Sequence, residues 1–128
     1  MTEREQIKEF VQCSLGCTCP EEIFDDIEQN FDVKLNNDIM LDEKLKIGER
    51  LLIYIIKIDS TDKLISDLPT LVLMGRLERD SLSFNRFRLV IRTENSKEIK
   101  PQAENLFSAM NLMDEKVHLH VIGNESSV

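Results

Sequence analysis

The run Leu51-Leu52-Ile53-Tyr54-Ile55-Ile56-Lys57-Ile58 limits what this chain can fold into more than any other feature of its sequence. It has strand length, is rich in β-branched residues and does not alternate with polar positions, which predicts a strand covered on both faces. Such a strand belongs in the middle of a sheet with helices above and below it.

The segments that follow supply that cover. Leu64, Ile65, Leu68, Leu71, Val72 and Gly75 fall at helical spacing, and Pro69 predicts a helix kinked or split in two, ending near Arg79. Phe87, Leu89 and Ile91 alternate with Arg86, Arg88 and Arg92, as expected of a half-buried strand with a basic outer face. Ala103, Leu106, Phe107 and Met110 predict a helix over residues 101–113, and Val117-His118-Leu119-His120-Val121-Ile122 a closing strand. The order from residue 50 to 122 is β-α-β-α-β, which favours parallel neighbours joined by crossovers on one face.

Upstream, Thr2-Glu3-Arg4-Glu5 has capping-box spacing, and Ile7, Phe10, Val11 and Leu15 continue a helix over residues 3–14 that Gly16 stops. Thr18 or Cys19 then caps a second helix, with Pro20, Glu21 and Glu22 in its first turn and Ile23, Phe24, Ile27 and Phe31 as its apolar stripe. Between this helix and the central strand, Val33-Lys34-Leu35 and Leu45-Lys46-Ile47 flank the turn-prone Asn36-Asn37-Asp38, which suits a short hairpin or edge strand. The expected fold is α/β: a mostly parallel β-α-β-α-β sheet with two N-terminal helices packed on its other face. The 128 residues form a single domain, with residues 1–31 a helical, cysteine-bearing corner and residues 50–122 the core.

Charge narrows the function classes. The net charge of −8 comes from residues 1–49, which hold five Lys/Arg against thirteen Asp/Glu, and this argues against nucleic acid as a partner. No apolar run reaches the roughly 18–20 residues needed to cross a bilayer, and the charged N-terminus lacks the form of a secretory signal. A cytoplasmic location without membrane association is the expectation, and reduced thiols go with it.

Those thiols are crowded. Cys13, Cys17 and Cys19 follow a C-x3-C-x-C pattern at the glycine-broken corner, and Cys17 and Cys19 lie beside a predicted helix start, where a thiolate is favoured. Three thiolates can hold zinc or part of an iron–sulfur cluster with one further ligand, and His118 or His120, the only histidines, can supply it. This predicts a metal-binding or iron–sulfur-associated module for electron transfer, sensing or assembly. Two other uses of the cysteines stand beside it: thiol redox chemistry, and packing as small buried side chains.

A second candidate is basic. Five of the seven arginines fall between Arg76 and Arg92, and forked donors at Arg86, Arg88 and Arg92 suit a phosphate or carboxylate. They would serve a small anionic ligand or a protein partner, including a second copy of the chain, or else pair internally with Asp25, Asp26 or Glu28. The sequence holds no nucleophile triad, P-loop, G-x-G-x-x-G or H-E-x-x-H pattern, so a binding role is expected rather than catalysis.

Overall fold

The computed structural model describes residues 3–11, 26–111 and 114–123. Its elements run α1 (Glu3–Glu9), β1 (Ile27–Lys34), β2 (Met40–Ile47), β3 (Leu51–Lys57), α2 (Thr61–Leu82), β4 (Arg86–Thr93), α3 (Ser96–Ala109) and β5 (Val117–Gly123). The five strands form one sheet in sequence order, with β3 at its centre.

Six of the seven residues of β3 are buried, as its composition requires. On one face, Leu52, Tyr54 and Ile56 join Leu64, Leu68, Leu71 and Val72 of α2, Ile99 and Ala103 of α3, and Phe87, Leu89 and Ile91 of β4. On the other, Leu51, Ile53 and Ile55 join Leu45 and Ile47 of β2, Val90 of β4, and Ile7, Phe10 and Val11 at and just beyond α1. The sheet therefore lies between α2 and α3 on one side and α1 on the other.

The expectation of a mostly parallel sheet is corrected. β3, β4 and β5 are parallel, but β1 pairs with β2 and β2 with β3 in antiparallel fashion, so the sheet is mixed. Two local turns cause this. Asn36 Oδ1 accepts from the amides of Asp38 and Ile39, each at 2.8 Å, which reverses the chain between β1 and β2. Gly48 and Glu49 both take positive φ, and Arg50 N donates to Ile47 O at 3.1 Å, a hairpin geometry that returns β2 directly onto β3.

The N-terminal helices are also corrected. Ile27 and Phe31, expected on a helical stripe, lie on β1, where Ile27, Gln29 and Phe31 share a period of two on the α1 side instead. Residues 12–25, including the rest of that stripe and the predicted corner, lie outside the described residues. Pro69 does not divide its helix: α2 is continuous across it, as α3 is across Pro101. Leu64, Leu68, Leu71 and Val72 are fully buried on both sides of Pro69, so packing offsets the hydrogen bond that proline removes. Ser60 caps α2 by accepting from Lys63 N, and Ser83, at φ 61°, closes it. Among the described residues, no helix is long and apolar enough to cross a membrane.

Candidate functional site

The alternation of β4 puts Phe87, Leu89 and Ile91 under α2 and α3, which leaves Arg86, Arg88, Val90 and Arg92 on the side of α1. The same rule on β5 puts His118 and His120 on that side, next to Ile122, which packs against the α1 cluster. The expected solvated outer face is thus corrected at Arg88, which is only 6% exposed.

The parallel register sets Arg88 beside His118 and Val90 beside His120. Each arginine reaches diagonally to the histidine two residues further along. Arg86 Nη1 lies 3.3 Å from His118 Nε2, and Arg88 Nη1 lies 2.9 Å from His120 Nε2. A guanidinium has donors and no acceptor, so Nε2 accepts in both contacts and each ring carries its proton on Nδ1. The surroundings favour the neutral ring. Burial, then Arg88 and His118, push His120 down to about 4, and burial with Arg88 and Arg86 pushes His118 down as well.

Two guanidinium groups on neighbouring same-face positions of β4 are thus each in contact with a neutral imidazole. Burial and the charge of Arg86 both push the Arg88 guanidinium down, a measure of how near the two positive groups are. Among the described residues, no carboxylate forms an ion pair with Arg86 or Arg92. Of the expected internal partners, Glu28 pairs with Lys46 at 3.4 Å, Asp26 forms no ion pair among the described residues, and Asp25 lies outside them.

Arg92 stands apart. Four residues of strand carry it about 13 Å beyond Arg88, and the buried Val90 lies between them. Its guanidinium sits 5.9 Å from the centre of the Phe10 ring. One small anion can bridge Arg86 and Arg88, about 7 Å apart along the strand, but not all three arginines.

Of the expected metal ligands, the described residues include only His118 and His120. Cys13, Cys17 and Cys19 lie outside them, and among the described residues no group of three or more His, Cys, Asp or Glu is placed to hold a metal. Because both Nε2 lone pairs are engaged, neither imidazole is poised as a general base. The arrangement is suited to holding a group rather than to moving a proton.

Sequence reasoning missed a second polar cluster, on the opposite face. The Tyr54 hydroxyl donates to Glu78 Oε1, and Lys44 Nζ reaches both Glu78 oxygens at 2.9 and 3.0 Å. Burial first, then Glu78, pushes the Tyr54 phenol up. Burial pushes Glu78 the other way from its partners, but the hydrogen bonds of Tyr54 and Lys44 hold it below the usual carboxylate range. Its signal was the single tyrosine within an aliphatic run, since a buried phenol needs a partner. With all its groups paired, this cluster ties β2 and β3 to α2.

Comparisons with protein-family models, with curated proteins and with solved structures found no match.

Proposed function

We propose that this protein is a non-catalytic binding module for an anionic group, with Arg86 and Arg88 as its donors and His118 and His120 as the residues that orient them. The pair of side-by-side arginine–imidazole contacts carries this reading. At Arg86 a carboxylate partner would orient the guanidinium and neutralise it at once, whereas the neutral His118 imidazole orients it and leaves the charge for a ligand. The paired forks, partly withdrawn from water, suit the tetrahedral oxygens of a phosphate group or the two of a carboxylate.

The test is calorimetric titration of the whole protein with inorganic phosphate and pyrophosphate, comparing the parent with R86Q and R88Q. Saturable binding weakened about tenfold or more by either substitution is expected, the loss of a charge-assisted hydrogen bond. Equal binding by parent and R86Q, whose half-exposed side chain can be changed without disturbing the core, sinks the proposal.

The metal reading stands second, supported by one placement. Val11, two residues before Cys13, packs in the same cluster as Val90 and Ile122, the neighbours of His120. A site for zinc or an iron–sulfur cluster on Cys13, Cys17, Cys19 and His118 or His120 would have to release Nε2 from its arginine or use Nδ1, and would place a cation beside two others. Metal content of protein purified without oxygen, against C17S, decides it: metal-free parent protein removes this reading.

A further inference from the structure

We infer that the cavity between α1 and the sheet is a second binding site, for a small monocarboxylate with an apolar body, in which Arg92 seats the carboxylate. The cavity measures about 260 Å³ and lies at the end of β3 and β4, opening beside Phe31. That is just below the roughly 300–1,000 Å³ of pockets for drug-sized ligands, which fits a molecule the size of an amino acid.

Its walls divide by chemistry. Ile7, Phe10, Leu45 and Ile55 give it an apolar lining, and Phe31, 60% exposed on β1, forms a lip that a monomeric core does not require. Into this lining projects Arg92, whose Nε is buried and, among the described residues, has no hydrogen-bond partner. A buried donor in that state is costly, so it signals an acceptor that the described residues do not supply. Phe10 sits against the Arg92 guanidinium. Guanidinium donors lie in its plane, and a carboxylate binding side-on uses Nε together with one Nη.

The opposite rim sets the charge of the ligand. Glu43 lines the cavity and accepts from Gln29 Nε2, which holds the carboxylate in place. A fixed negative group facing Arg92 across an apolar space disfavours a dianion such as phosphate, which also loses more hydration on entry. A single carboxylate on a hydrocarbon body satisfies Arg92 and covers the apolar wall without that penalty. The two anion sites thus differ in preference, and the failure of one leaves the other standing.

The experiment titrates the full chain with 3-phenylpropanoate, its neutral counterpart 3-phenylpropan-1-ol, and inorganic phosphate, by calorimetry and by following the Arg92 Nε–H resonance. The acid is expected to bind saturably in the millimolar range or tighter, to shift the Arg92 Nε–H signal, and to bind about tenfold or more tighter than the alcohol. R92Q should erase that difference, R86Q should preserve it, and Q6W, at an exposed α1 residue on the cavity lining, should weaken the acid by narrowing the space. The inference is overturned by an alcohol that binds as well as the acid, by an Arg92 signal unmoved at saturation, by R92Q matching the parent, or by no saturation with the acid. The resonance of the parent decides the matter even if R92Q fails to fold.

Discussion

At His120 the ring nitrogen that faces Arg88 has to be unprotonated for their contact to exist. The folded protein holds this ring at about 4, whereas an unfolded chain protonates it near the ordinary 6.5. Between those values the unfolded state binds more protons, so stability rises with pH across the window. The contribution is fully present above about 6.5 and is lost progressively as pH falls to about 4. With discount for solvent screening it is on the order of 2 kcal/mol. H120Q, which keeps an acceptor but cannot titrate, should flatten the dependence of the urea midpoint between pH 4 and 6.5, and an unchanged slope would count against the assignment. The i, i+2 spacing of His118 and His120 showed in the sequence that they share a face. Their partners did not, because the pairing of β4 with β5 depends on a register that only the packed sheet sets.

Helix α2 owes its seat on the sheet to one missing methyl group. A Cβ built on Gly75 would lie 2.0 Å from Phe87 Cζ, with two further ring atoms at 2.3 and 2.4 Å. Phe87 is itself fixed, fully buried and edge-on to Tyr54 with ring centres 4.9 Å apart. G75A would gain at most about 1 kcal/mol of helix propensity and would have to push the ring or the helix aside, so the net expectation is a loss of about 2 kcal/mol or more. The double variant G75A/F87L should be less destabilised than the sum of the two singles, and strict additivity in urea unfolding would refute the contact. Elements of this kind were legible where burial dominates: β3, β4, β5 and the two crossover helices follow their apolar periodicity. They were misread where turns decide. Ile27 and Phe31 satisfy a period of 3.6 and a period of two alike, and the hairpins at Asn36-Asn37-Asp38 and Gly48-Glu49 select the second. Pro69 misled in the opposite direction, since a local penalty was outweighed by a long buried stripe.

Across the whole molecule, β5 is an edge strand, and an anchor outside the sheet ladder helps to hold it. Asp114, just before β5, takes two hydrogen bonds from Arg79 near the end of α2, at 3.2 and 2.8 Å, and lies 3.3 Å from Arg76 Nε. Arg79 is 8% exposed. Arg79 first, with Lys116 N and Arg76, holds the Asp114 carboxyl below its usual range against the effect of burial. Its stabilisation is therefore present above about 3.9, the ordinary value for an aspartate, and lost as pH falls through the lowered folded value, a window below that of His120. Breaking a buried ion pair costs about 3–5 kcal/mol, and because Asp80 still pairs with Arg79 at 2.9 Å the expectation for D114A is nearer 2 kcal/mol. The two windows separate the two groups: D114A should weaken the acid limb below about pH 4 and leave the slope from 4 to 6.5, while H120Q should leave the acid limb and reduce the slope to the part that His118 supplies. Hydrogen exchange gives the spatial check. In D114A the amides of β5 should lose more protection than those of β2 and β3, whose protection should fall only with the global stability, because an edge strand that loses its anchor opens locally before the centre does. Uniform acceleration over all five strands would place Asp114 in the global core instead.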